Sequence, residues 1–340
     1  MNTSKLKITI LIFISCLTTL VKAQQNYDSL YIKKYYNKSI WALYENYNNH
    51  SIFISQSFHK DSLINTSLQP IAESKIDIGI SYSNEKYYFA FNLLSLLNKE
   101  PTRKPAPKAI NFVIGITNSN KLFELGANWF TGYYENNSKN IVPNFNDTTP
   151  FHSYDKLNTV NFFLNKITFT NKRKFSYSAV YKGTELQKKS AASFVHYISA
   201  NYNRFKSDSA FVPIYVRSSY DNYGNLNKLT NVYLSGGIGF SGTLVIGKVF
   251  FTNLTLMAGP GIQYQNYSFL NNGGNENKIN VLLHSDVRYS IGLNLKRFYL
   301  VSSTTIALKA YSVSKLNITS GHLMSNLTIG YRYNRKGRIF

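Results

Sequence analysis

The sequence predicts an all-β protein: a transmembrane antiparallel up-and-down β-barrel of about fourteen strands, with twelve as the next count to try. Three observations carry this. Oily and polar side chains alternate with period two in segment after segment. Aromatic residues make up 15% of the chain, with 27 Tyr and 23 Phe, while charged residues make up only 16%, well below the roughly 25% of an ordinary soluble domain. Short polar turns alternate with longer links. A wall that is apolar outside and wet inside, with aromatic side chains at both interfaces, needs this mixture. The rival is a soluble β-sandwich or periplasmic barrel with its oily face turned inward. Alternation suits both; the aromatic content, the scarce charges and the asymmetric connections favour the membrane.

The N-terminus has the form of an export signal. Lys5 and Lys7 precede an uncharged, mostly apolar run from Ile8 to Val21, and Val21-Lys22-Ala23 places short residues where a signal peptidase cuts. The reading is a signal peptide over 1–23 cleaved after Ala23, a short periplasmic segment over 24–38 and a barrel over 39–340. Cys16 is the sole cysteine, and Phe13 stands three places before it where a lipoprotein signal needs a Leu-like residue. The mature chain then has no disulfide, thiol nucleophile or thiolate metal site. Beyond residue 23 no apolar run approaches the roughly 20 residues of a spanning helix, and mean hydropathy is -0.22. The net charge is +22, or +19 once Lys5, Lys7 and Lys22 leave with the signal. An exported protein meets little nucleic acid. The charge therefore points to outer-membrane lipid headgroups, lipopolysaccharide, an anionic solute or a hydrated rim.

Each strand is justified by its faces. In Lys75–Ser83, Ile76, Ile78, Ile80 and Tyr82 share one side and Lys75, Asp77, Gly79 and Ser81 the other. In Lys121–Tyr133, Phe123, Leu125, Ala127 and Trp129 oppose Glu124, Gly126 and Asn128. In Leu283–Asn294, Leu283, Val287, Tyr289, Ile291 and Leu293 oppose His284, Asp286, Arg288, Ser290 and Asn294. Asp286 and Arg288 are costly against lipid and cheap against a lumen. Short turns at Asn84-Glu85, Ser119-Asn120, Asn171–Lys174, Phe205–Asp208, Gly247–Val249 and Leu295–Arg297 fall between longer links near 57–73, 96–108, 135–156, 184–190, 218–228, 268–277 and 312–319. The strands then lie near 39–56, 74–83, 86–95, 109–118, 121–134, 157–170, 174–183, 191–204, 209–217, 229–246, 250–267, 278–294, 298–311 and 320–333, with both termini on the short-turn side. The segment 209–217 carries Pro213 and is the weakest. Gly236, Gly237, Gly239 and Gly242 suit close packing or bends in a wall rather than a phosphate cradle. The terminal Phe340 after an alternating strand has the form of a barrel-assembly signal.

The run Asn171-Lys172-Arg173-Lys174-Phe175-Ser176, then Ala179, then Glu185-Leu186-Gln187-Lys188-Lys189-Ser190-Ala191-Ala192-Ser193 resembles a Bacteroidetes family of outer-membrane β-barrel proteins catalogued only as a domain of unknown function. The resemblance extends over most of 30–335, with the specific motif at 171–193 and Ala192 standing where the family tends to have Gly. It implies a barrel, and no activity, ligand or catalytic residue.

Two clusters are candidates for chemistry. His284, Asp286 and Arg288 lie two apart on one strand and project to one side about 7 Å apart; they suit a polar ladder in the lumen or, with a Ser, a hydrolase. Glu185, Gln187, Lys188 and Lys189 suit a solvated loop, a contact folding into the lumen, or an anion site. Lys189 and Ser190, being adjacent, point apart on an extended chain and make no dyad. His50, His59, His152, His196 and His322 have no metal-site spacing, and no motif calls for a cofactor. The expected function is a pore, channel or small-molecule- or lipid-binding barrel taking a hydrophobic or anionic solute. The alternatives are an outer-membrane hydrolase acting on lipid or peptide, and a structural or adhesive surface protein. Partners expected are outer-membrane lipid, lipopolysaccharide and, through the last strand and Phe340, the barrel-assembly machinery.

Overall fold

The computed structural model describes residues 27–56, 67–94, 103–118, 120–270, 274–313 and 316–334; the export signal with its cleavage site and Phe340 lie outside them. Twelve strands form the wall: β2 (Lys38–Gln56), β3 (Pro70–Ser83), β4 (Tyr87–Leu94), β5 (Lys108–Asn118), β6 (Lys121–Glu135), β7 (Ser153–Phe169), β9 (Ala191–Lys206), β10 (Leu226–Ile246), β11 (Phe250–Phe269), β12 (Glu276–Asn294), β13 (Phe298–Val313) and β14 (Leu316–Asn334). Each pairs antiparallel with the wall strands before and after it, and β14 closes on β2 from Asn334↔Lys38 to Leu316↔Gln56. Closure leaves no edge strand, the condition for a sheet to cross a bilayer. Two short strands, β1 (Ile32–Lys34) and β8 (Glu185–Gln187), pair with each other apart from the ring. The described residues thus hold fourteen strands, of which twelve make the barrel.

Side chains alternate as the sequence requires. On β9, Ser193, Val195, Tyr197, Ser199, Asn201, Asn203 and Phe205 point in, while Phe194, His196 and Ile198 point out. The outward set is apolar and bare: Ile279 is 72% exposed, Val281 68% and Ile262 66%. Paired strands carry such residues side by side, a surface far larger than the few hundred Å² that a soluble monomer leaves open. Phe298, Tyr331, Trp41, Tyr82 and Phe89 form one row across β13, β14, β2, β3 and β4, with Trp41 5.0 Å from Tyr82 and Phe298 5.4 Å from Tyr331. Such a row is an interfacial aromatic girdle near the short-turn rim. Gly237 and Gly259 let β10 and β11 approach closely: a Cβ at Gly237 would lie 2.1 Å from the Ala258 carbonyl oxygen.

Four expectations for the wall are corrected. Residues 174–183 form no strand; they hold a one-turn helix, α2 (Tyr177–Tyr181), inside the short-turn mouth. The link 184–190 therefore lies on the short-turn rim, not the long-loop rim. Residues 209–217 form no strand either. Pro213 caps a 3₁₀ helix over Ile214–Asn225, folded into the opposite mouth, since proline has no amide hydrogen for a ladder. The link expected over 312–319 shrinks to 314–315, because β13 and β14 pair up to Val313↔Leu316. A further one-turn helix, α1 (Ser138–Ile141), lies in the long link between β6 and β7. The strands β4 and β5 are short, and beyond them β3 pairs directly with β6 at Pro70↔Glu135 and Ile71↔Tyr134.

Candidate functional site: a polar chamber between two stoppers

The long-loop mouth is filled by a dry core. Phe211, Val212, Val216 and Tyr220, from the segment that follows β9, pack against Ile52, Ile54, Phe130, Phe205, Leu229, Tyr311, Val313 and Ile318 of the wall. These inward positions are polar in mid-wall and become apolar toward this rim, so the sequence builds an apolar cork there.

The short-turn mouth holds a plug made of 27–37 and 171–190. Ser176 caps α2, accepting from the Ala179 amide at 3.0 Å. Phe175 and Tyr177 pack on Leu122, Ile167, Phe169 and Val195, and Val180 on Phe251, Tyr299 and Val301. The wall holds the plug by its backbone carbonyls. Asn294 Nδ2 donates to Ala179 O at 3.0 Å and Glu185 O at 2.9 Å. Arg332 Nε donates to Gly183 O at 2.7 Å, Ser83 Oγ to Lys182 O at 3.1 Å, and the Tyr299 hydroxyl to Val180 O. Lys182, at the C-terminus of α2, donates to Thr117 Oγ1 and lies 3.6 Å from the centre of the Tyr88 ring. Burial holds its ammonium well below the usual lysine range.

Within this plug sit Glu185, Gln187, Lys188 and Lys189. Glu185 pairs with Lys34 at 3.4 Å and accepts from Ser176 Oγ at 2.5 Å. Gln187 donates to the carbonyls of Lys174 (2.6 Å) and Lys189 (3.0 Å) and accepts from the Ser176 amide at 2.9 Å. Lys188 reaches Ser29 O at 2.7 Å, and Lys189 lies over the Tyr31 ring at 5.6 Å. These contacts tie the two plug segments together.

Between cork and plug lie two adjoining chambers of about 210 and 160 Å³, lined by both polar and apolar side chains, which share Asn111, Val113, Glu124, Arg288, Thr305 and Met324. His284, Asp286 and Arg288 all face in. Arg288 contacts Asp286 at 3.0 Å through Nε and 3.3 Å through Nη2, Glu124 at 3.3 Å, and the Tyr177 hydroxyl at 2.8 Å. Glu124 also accepts from the Tyr88 hydroxyl at 2.6 Å. His284 Nδ1 lies 3.0 Å from Ser235 Oγ, a nucleophile–base distance. Asp286 is engaged by Arg288, however, so the acid that would orient the histidine is missing from the triad arrangement. His50 and His322 face each other across β2 and β14; His50 Nδ1 is 2.7 Å from the Tyr133 hydroxyl. No group of three metal-ligating side chains occurs among the described residues. The sequence reading missed Glu124, Tyr177, Ser235 and Lys309, which meet the cluster from other elements. The inward-facing positions of Glu124, Ser235 and Lys309 follow from alternation, while their height along the wall depends on register; Tyr177 sits on the plug helix rather than on the wall.

The geometry defines a transmembrane β-barrel whose own chain folds into both mouths. The protein belongs to the family described as a domain of unknown function (DUF4421), whose model matches residues 26–333. No curated protein matches it. Among solved structures it is similar to the outer-membrane protease OmpT of Escherichia coli (8% identity, TM-score 0.38, 89% of this chain and 97% of that one). It is also similar to an outer-membrane channel of Pseudomonas putida F1 (8%, 0.31, 92% and 100%) and to the P. putida toluene transporter TodX (7%, 0.27, 88% and 91%). At these values the likenesses carry no assignment of activity or ligand.

Proposed function

We propose that the protein is a non-enzymatic outer-membrane barrel that holds a small solute in an internal chamber and admits it by displacement of the short-turn plug. The carrying observation is a chamber that holds a cluster of amide and charged side chains and lies between an apolar cork and a hydrogen-bonded plug. A structural or adhesive wall needs no such interior; an unregulated pore needs no such stoppers. The plug suits a movable role. Its helix is a single turn, too short to stand alone, and the wall grips it largely through carbonyl contacts from Asn294, Tyr299 and Arg332. In this reading residues 1–23 direct export and are removed after Ala23. The outward apolar face then meets lipid, and the excess positive charge meets anionic headgroups and lipopolysaccharide. Planar-bilayer recording and thiol labelling test the gate. The wild-type protein is expected to show no steady conductance, and Asn294→Ala combined with Arg332→Ala, which leaves the cork in place, to speed labelling of a Ser303→Cys chamber thiol by a membrane-impermeant maleimide at least tenfold. A wild type that conducts steadily, or a double variant whose chamber thiol reacts no faster, sinks the reading.

A further inference from the structure

Charge is not balanced evenly inside the barrel. The groups facing the 160 Å³ chamber include Glu124, Asp286, Arg288, Lys309, His50, His284 and His322. Both carboxylates are engaged by Arg288, at 3.0–3.3 Å. Lys309 points inward from β13, opposite His284 on β12 and Ser320 on β14, with His322 two positions beyond Ser320. The Tyr233 ring lies 5.2 Å from its ammonium, and among the described residues no carboxylate lies within ion-pair distance of it. An ammonium drawn partly out of water without a paired anion is costly.

Across the ring from β13, the chamber is lined by amides of β7 and β9: Asn161, Asn165, Asn201 and Asn203. Their side-chain amides can hydrogen-bond a hydroxylated body held in that space. At about 160 Å³ the space lies well below the roughly 300–1,000 Å³ of sites for drug-sized ligands.

Resting on the chamber reading above, we propose that this chamber is a binding site for a small polyhydroxylated acid. Its carboxylate or phosphate pairs with Lys309, flanked by His284 and His322. Its hydroxyls are read by Asn161 and Asn203. Lys309 supplies the preference for charge, and the asparagines the preference for a hydroxylated body over a bare anion.

Equilibrium dialysis on the full-length mature chain, refolded in detergent with each probe present, tests this. The probes are glucuronate, glucose 6-phosphate, glucose and inorganic phosphate. At least one of the two acidic sugars is expected to bind one per barrel, and which binds tighter distinguishes a carboxylate from a phosphate site. Glucose and inorganic phosphate are expected to bind at least tenfold more weakly. Lys309→Met is expected to weaken the acidic sugar at least tenfold and to bring it level with glucose, while Lys309→Arg keeps most of the affinity. Heat-modifiable gel mobility checks that each variant forms the barrel; should Lys309→Met fail to fold, Asn203→Leu, expected to cost a comparable factor, stands in. No binding of either acidic sugar, equal binding of glucose, or full affinity in the Lys309 and Asn203 variants overturns the proposal. A silent wild-type barrel that binds none of the probes removes this site alone. A barrel that conducts steadily removes the gated chamber itself.

Discussion

Arg288 donates to Asp286 on its own strand, to Glu124 across the lumen and to Tyr177 in the plug, so one guanidinium serves wall, chamber and stopper together. The planar fork suits this, since its donors leave in several fixed directions. Removing it strands two enclosed carboxylates, and breaking a buried pair from one side costs about 3–5 kcal/mol. Arg288→Met is therefore expected to lower the stability of the barrel by about that amount in denaturant titrations followed by gel mobility. Adding Glu124→Gln and Asp286→Asn to Arg288→Met should restore much of the loss, because no charge is then left unpaired. Persistence of the full defect in the triple variant would mean that Arg288 acts by packing rather than by charge.

At the scale of elements, the plug is where pH acts. Burial holds the Lys182 ammonium well below its ordinary value near 10.5. A group with a depressed lysine pKa binds fewer protons docked than released. Docking therefore strengthens as pH rises from the depressed value toward 10.5, and weakens as pH falls through the same window. Labelling of the Ser303→Cys thiol, taken relative to an exposed control cysteine, is expected to slow as pH is raised across that range, and Lys182→Met to flatten the slope. An unchanged slope in Lys182→Met would assign the effect to other groups. The same segment shows what sequence could tell. Phe175, Tyr177, Ala179 and Tyr181 alternate with Ser176, Ser178, Val180 and Lys182 as a strand would, and such a period of two predicts wall. The contrary signals were local: Ser176 as a helix cap, and Gly183, whose φ of +65° closes the turn and where a Cβ would lie 2.7 Å from the Tyr299 ring. For the twelve wall strands, alternation sufficed, because a face that meets lipid and a face that meets water are sorted by burial alone. It could not reveal that the inward row ends in an apolar cork, or that β3 reaches β6 past two short strands. Both depend on how far each strand rises relative to its neighbours.

At the scale of the whole molecule, the orientation of the two faces decides everything else. Inside, polar groups are enclosed by a cork and a plug; outside, Leu283, Val281, Ile262 and Ile238 are bare. In water this arrangement would be unstable, because its apolar rows would be solvated. In a bilayer the outer rows are at rest, and the interior needs only its own hydrogen bonds and enclosed water. Leu283 lies near the middle of β12 and is 57% exposed, so it faces the hydrocarbon close to mid-depth. A cation there costs about 2–4 kcal/mol, against about 0–1 near an interface. Leu283→Arg is accordingly expected to destabilise the barrel in lipid vesicles by about 2–4 kcal/mol. The same change at Phe298, beside the short-turn rim, should cost about 1 kcal/mol or less. The depth dependence is the diagnostic part: a soluble shell would tolerate both cations on an outward face, and a barrel with its faces reversed would be broken by either. Equal tolerance at 283 and 298 would remove the membrane from this account, and with it the reason for a polar lumen that the chain must stopper.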